Sequence, residues 1–256
     1  MKKTLMKSLA LAVVGTAFAA GAASAALFNT NRPFDNGMLV GDIGAQDSVQ
    51  EIMDATFGTG EYDAINDQST AAIWTPSEAS VDSYLVTMLN TTPNSATHGG
   101  IYSYLTGVEY EFDNSKTTAS FAFNDAGDLY VEGVFALSGF GDTFGWWASN
   151  DTYPSTTYYT EDDRNPNDDV QALAYQLESG TTAVLPLLMG GTTITLLGDD
   201  DWMIAFEDWA SDNNGDYNDL VFIVEDVDPV PEPATMLLFG TGLAGLAAMR
   251  RRKRNV

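Results

Sequence analysis

The sequence predicts an all-β fold, an antiparallel β-sandwich of jelly-roll-like type with one or two short helices. Three observations carry that expectation. Apolar residues recur with a period of two in short runs, as in residues 117–123, where Ala119, Phe121 and Phe123 share one face. Clusters of Gly, Asn and Asp separate the runs, and these are the residues of short antiparallel turns. No long amphipathic helix lies between consecutive runs, so the crossovers of a parallel sheet are missing.

The elements follow in chain order. Lys2, Lys3 and Lys7 precede an apolar run from Leu9 to Ala20, and Ala23-Ser24-Ala25 offers the small residues that signal peptidase requires. This is the layout of a secretory signal peptide, with Ala23 and Ala25 as processing residues, so residues 1–25 are set apart from the fold. Residues 26–228 form the β-sandwich domain; roughly 200 residues rich in Phe, Tyr and Trp can bury one good core. Near its start Ser48 is a helix N-cap with Glu51 three residues on, and Val49, Ile52, Met53 and Thr56 follow at helical spacing. Residues 57–70 and 90–100, the latter with His98, read as loops.

Beyond them, residues 128–137 place Leu129, Val131, Phe135 and Leu137 on one face, and residues 171–177 group Leu173, Tyr175 and Leu177. Residues 181–188, 192–197, Trp202–Phe206 and Leu220–Val224 complete the strands. Residues 226–233 read as a Pro-rich acidic linker.

The tail, residues 229–256, has three parts in a fixed order. Val230-Pro231-Glu232-Pro233 holds the chain extended, an apolar stretch ends at Met249, and Arg250-Arg251-Arg252-Lys253-Arg254 follows. Residues 234–249 would make a transmembrane helix of about 24 Å, which snorkelling arginines extend toward the roughly 30 Å hydrocarbon core. The cationic end stays cytoplasmic by the positive-inside rule. This layout resembles the PEP-CTERM sorting signal of Gram-negative bacteria. The resemblance implies an exosortase as partner, Pro231, Glu232 and Pro233 as processing residues, and a transient anchor in the inner membrane.

Charge narrows the function classes. Between residues 26 and 249 only Arg32, Lys116 and Arg164 are basic, whereas all 36 acidic residues lie there, a net charge of −33. Such a surface cannot displace the counterions of a nucleic acid, so nucleic acid is excluded as a partner. Its charge partners are cations. The chain has no cysteine, which excludes disulfides and thiolate metal ligation despite the oxidising destination.

The densest chemistry lies in residues 199–226. Trp202–Phe206 and Leu220–Val224 flank a loop carrying Asn213-Asn214-Gly215, which predicts a hairpin. Antiparallel pairing then sets Glu207 and Asp208 beside Asn218 and Asp219, with Asp212 and Asp216 in the loop. Two carboxylates 4 Å apart repel by about 4 kcal/mol at an effective dielectric near 20, so either several protonate or a cation joins them. Calcium fits such an oxygen set, and Glu207, Asp208, Asp212, Asp216, Asn218 and Asp219 are its expected ligands. Zinc would want nitrogen or sulfur. The loop is not an EF-hand, because Tyr217 stands where its glycine belongs and Ile223 where its final Glu belongs. The alternative is a solvated acidic turn.

The phrase Ala205-Phe206-Glu207-Asp208 with Gly215-Asp216-Tyr217-Asn218-Asp219-Leu220-Val221-Phe222 resembles the F-E-D…D-Y-N-D motif of an uncharacterised bacterial extracellular domain family. The stretch Asn165-Pro166-Asn167-Asp168-Asp169-Val170-Gln171-Ala172-Leu173-Ala174-Tyr175 is similar to the acidic loop and strand that precede it in that family. The resemblance implies a β-rich, calcium-binding domain and no known reaction. The expected function is therefore a non-enzymatic cell-surface or extracellular-matrix protein, and the PEP-CTERM resemblance implies an association with exopolysaccharide or biofilm. The alternative is a carbohydrate-binding module, or a weak glycan-active enzyme, using Trp146 or Trp147. An exposed aromatic platform would favour it; buried rings would favour the first reading.

Overall fold

The computed structural model describes residues 31–40, 47–77, 84–89, 97–116, 118–151, 156–184, 193–195, 200–208 and 215–230. Every described residue belongs to one compact unit, residues 29–230. Ala23, Ala25, Pro231, Glu232, Pro233 and the expected tail helix lie outside the described residues. Among the described residues no helix is long and apolar enough to cross a membrane.

Helix α1 (Val49–Phe57) is followed by β1 (Gln68–Ser69), β2 (Trp74–Pro76), β3 (Tyr84–Leu89), β4 (Thr97–Ser103), β5 (Glu109–Glu111), β6 (Thr118–Phe123), β7 (Leu129–Val131) and β8 (Val134–Leu137). Then come β9 (Phe144–Asn150), β10 (Thr156–Tyr159), two 3₁₀ turns, β11 (Ala172–Gln176), β12 (Thr182–Val184), β13 (Thr193–Thr195), β14 (Trp202–Phe206), β15 (Leu220–Val224) and β16 (Val227–Pro229). The strands form an antiparallel β-sandwich. One layer runs β1-β11-β14-β15-β3-β6-β7-β8 and the facing layer β16-β2-β9-β4-β5, with β10 also on β9; β12 and β13 pair in a separate two-stranded sheet.

Between the sheets lies an aromatic core that includes Phe121, Phe144, Trp146, Trp202, Phe206 and Phe222. Trp146 packs on Phe222 with ring centroids 4.9 Å apart. Each such fully buried side chain contributes roughly 1.5–3 kcal/mol relative to exposure. The larger sheet has a second covered face, where α1 packs through Val49, Ile52, Met53 and Phe57 onto Leu173, Tyr175, Met203, Ala205, Val221 and Ile223. β14 and β15 are therefore buried on both faces, which is why their sequences are apolar throughout rather than alternating.

The helix begins as the sequence predicts. Ser48 N donates to Glu51 Oε2 at 2.8 Å, and Glu51 N donates back to Ser48 Oγ at 3.4 Å, a capping box. The first helical amide, Val49 N, donates to Asp216 O at 2.8 Å, which ties the helix start to the acidic loop.

Four details depart from the sequence expectation. Gln68–Ser69, within residues 57–70 read as a loop, forms β1 on the edge of the larger sheet, paired with β11. Residues 128–137 are a hairpin, not one strand: Glu132 and Gly133 both have positive φ, 52° and 71°, and reverse the chain between β7 and β8. Residues 97–100 belong to β4 rather than a loop. Gly99 and Gly100 sit there because a Cβ would come 2.5 Å from Trp147 O and 1.9 Å from Tyr110 O. The acidic linker begins as a strand, β16, paired with β2 at the sheet edge, a position that tolerates Pro229.

Candidate metal centre

The β14–β15 ladder pairs Trp202 with Val224 and Phe206 with Leu220. One step further the regular ladder ends: Asp219 N donates to Phe206 O at 3.2 Å, and Asp208 N donates to Asp219 Oδ2 at 2.9 Å. Tyr217 then crosses the end of the sheet with φ 55°, a conformation rare for an aromatic residue. Its hydroxyl holds it there, donating to Val170 O at 2.7 Å. This fold-back delivers Asp216 to the two strand-end carboxylates.

Carboxylate oxygens of Glu207, Asp216 and Asp219 all lie within 4.8 Å of one another. The three residues are 1%, 0% and 8% exposed. Burial, the neighbouring Asp219 and Asp216 push the Glu207 carboxyl far above the usual carboxylate range. Asp219 is likewise raised, by burial first and Asp208 next. Asp216 is pushed up to about 6 by burial, with hydrogen bonds from Asn218 opposing the shift. The site resists holding three negative charges by itself.

Asp208 is not among the three clustered carboxylates, and Asn218 hydrogen-bonds Asp216 of the trio. Asp208 Oδ2 accepts hydrogen bonds from Thr97 Oγ1 and, at 2.9 Å, from Asn150 Nδ2 of the opposite sheet. Asn218 Nδ2 donates to Asp47 O, beside the helix N-cap. Asp212 lies outside the described residues.

The basic side chains of residues 26–249 are used elsewhere. Arg32 pairs with Asp162 at 3.2 Å, and Arg164 pairs with Glu161 at 3.4 Å while covering the rings of Tyr102 and Tyr159. Lys116 sits in a turn with Asp113. The oxygen trio suits a hard cation: at about 2.4 Å per Ca–O bond, opposite ligands of one calcium stand roughly 4.8 Å apart.

A second acidic group lies at the other end of the same two strands. Oxygens of Asp200, Asp201 and Asp226 also fall within 4.8 Å of one another, and burial with Asp201 pushes Glu225 up to about 7. The hairpin register made this group readable, because pairing Trp202 with Val224 brings Asp201 to Glu225.

His98, in β4, has its ring nitrogens 3.2 Å from Glu111 Oε1 and 3.3 Å from Asp151 Oδ1 at a cleft of about 330 Å³. Trp146 and Trp147 are both buried, Trp147 beneath the edge-on ring of His98, with its Nε1 donating to Ile101 O at 3.2 Å. Neither ring offers an exposed platform for a sugar.

Residues 229–253 match the PEP-CTERM protein-sorting motif. The match covers the tail, and it marks the chain as carrying the signal of exported proteins that an exosortase sorts and processes at the membrane. No curated protein matches the chain. Among solved structures, the Chromobacterium violaceum lectin CV2L in complex with alpha-methyl-fucoside is similar over 64% of this chain and 100% of that one. The identity is 14% and the TM-score 0.27, too low for any argument about fold or ligand.

Proposed function

We propose that this protein is a non-enzymatic module of the cell surface or extracellular matrix, and that Glu207, Asp216 and Asp219 bind a calcium ion that stabilises it. One observation carries the reading: three buried carboxylates with oxygens within 4.8 Å of one another at the end of one hairpin. Their burial suits a bare ion and leaves a larger substrate little access, which favours stabilisation over catalysis. Asp208 and Asn218 act as positioning residues, tying the site to the opposite sheet and to the helix N-cap. The F-E-D…D-Y-N-D resemblance supports the same reading.

Signal peptidase would release residues 26–256, and the tail would hold the protein in the inner membrane until an exosortase acts. A place alongside extracellular polysaccharide or in a biofilm follows from the resemblance to proteins sorted this way. Domain boundaries of 1–25, 26–228 and 229–256 complete the proposal.

The test is calorimetric titration of the exported protein, first stripped of metal, with calcium. Saturable binding that Asp219→Asn weakens at least about tenfold supports the site. Absence of saturable calcium binding by the stripped protein contradicts it.

A further inference from the structure

The acidic trio is one side of a larger polar row. Extending the β11–β14 register by one step from Ala172 and Phe206 sets Gln171 directly opposite Glu207, and Glu207 N donates to Gln171 O at 3.0 Å. Where the β14–β15 ladder ends, Asp219 N donates to Phe206 O at 3.2 Å, and the Asp219 carboxylate comes within 4.8 Å of the Glu207 carboxylate. Gln171, Glu207 and Asp219 thus gather at the ends of three adjacent strands. Directly paired residues project from the same face of a sheet, with Cβ atoms roughly 5 Å apart. That face is identified by the residues two positions away. Leu173 and Ala205 both belong to the helix-side core, so Gln171 and Glu207 lie under the same layer.

Gln171 is 3% exposed, and its Oε1 has no hydrogen-bond partner. A buried carbonyl oxygen without a donor is unfavourable, and native folds retain few of them. The residue paired with it, Glu207, is acceptor-only when ionised, so an ionised Glu207 side chain cannot satisfy this oxygen. A cation can. Tyr217 closes the row from above through Val170 O, the residue before Gln171, so the loop bearing Asp216 is fastened to the strand that bears Gln171.

We propose that the Gln171 carboxamide oxygen is a fourth protein ligand of a divalent cation held by Glu207, Asp216 and Asp219. The inference rests on the metal reading above and deepens it. Calcium takes six to eight oxygens and accepts Gln carbonyls readily, whereas three carboxylates alone leave its sphere incomplete. A neutral fourth donor raises the coordination number without adding charge to a site already richer in negative charge than the ion neutralises. Backbone carbonyls and water would fill the remaining positions.

The test uses the exported protein, stripped of metal and titrated with calcium. Gln171→Met keeps the length and burial of the side chain and removes the oxygen; Gln171→Glu keeps an oxygen. The expected result is a loss of calcium affinity of at least about tenfold in Gln171→Met, with binding retained in Gln171→Glu. Melting of metal-free Gln171→Met should equal or exceed that of the metal-free parent, because an unsatisfied oxygen has gone. A merely structural glutamine would behave oppositely, lowering metal-free stability and leaving affinity alone.

Carbon-13 NMR of the parent adds a readout that needs no variant: the Gln171 carboxamide carbon should shift on calcium addition. If the parent binds calcium while that carbon does not move, or Gln171→Met binds within twofold of the parent, Gln171 is not a ligand and the trio stands without it. If the parent binds no calcium, both readings fall.

Discussion

The hydroxyl of Tyr217 donates a 2.7 Å hydrogen bond to the backbone carbonyl of Val170, 47 residues away in sequence. Both partners are buried, and the bond holds Tyr217 in a left-handed conformation that places Asp216 before it and Asn218 after it over the sheet end. The edge-on ring of Phe34, 5.9 Å away, packs against it. Tyr217→Phe would leave a buried carbonyl unsatisfied and should cost about 1–3 kcal/mol of stability. Urea unfolding of metal-free protein reads that loss, and calcium affinity should fall with it as Asp216 loosens.

Stability of the metal-free protein should fall as pH rises. The folded-state pKa of Glu207, Asp216 and Asp219 lies above the unfolded values near 4, with burial the leading cause. A raised acid contributes stability that is full below its unfolded pKa and lost as pH climbs through its folded one. The window therefore opens near pH 4, passes the Asp216 value of about 6, and continues upward with Glu207 and Asp219. Calcium binds the deprotonated carboxylates, so saturating calcium should flatten the slope. Melting temperatures from pH 5 to 9, with and without calcium, check both halves.

Removing one charge should act in opposite directions in the two states. Asp216→Ala and Asp219→Ala should abolish the calcium response. Without calcium the same changes should be neutral or stabilising, because like-charge repulsion is relieved. Thermal denaturation of each variant in chelator and in excess calcium measures both effects.

Export should remove both ends of the chain. Intact mass of the secreted form is expected to lack about the first 25 residues and the arginine-rich tail. A full-length tail on protein secreted by cells with an active exosortase would contradict this.

Much of the fold was legible because local rules and the tertiary outcome agree. The Ser48–Glu51 capping box and the pairing of Trp202–Phe206 with Leu220–Val224 both follow from spacing alone. The hairpin at Glu132-Gly133 was not legible, since the usual Asn-Gly or Asp-Gly turn signal is absent there and the alternation of residues 128–137 runs straight through it. Gly99 and Gly100 have the local character of loop formers, whereas they serve close approach between strands, a tertiary demand that spacing does not encode.

At the site, hairpin logic brought Glu207 and Asp219 together and placed Asp216 near them. It could not foresee that Asp208 turns to Thr97 and Asn150, because those partners come from the other sheet, 111 and 58 residues away. Gln171, part of the acidic-loop phrase, is not among the ligands expected from spacing, because its partner Glu207 follows a strand reached only after β12 and β13.

Melting of the exported protein in calcium and after verified removal of metal tests the calcium claim most directly. A cation bound only by the folded state adds about 2.7 kcal/mol at a hundredfold excess over Kd, so removal should lower the melting temperature by several degrees, and calcium should restore it. If the melting curve is unchanged once bound metal is shown to be gone, Glu207, Asp216 and Asp219 are an acidic sheet end and not a calcium site.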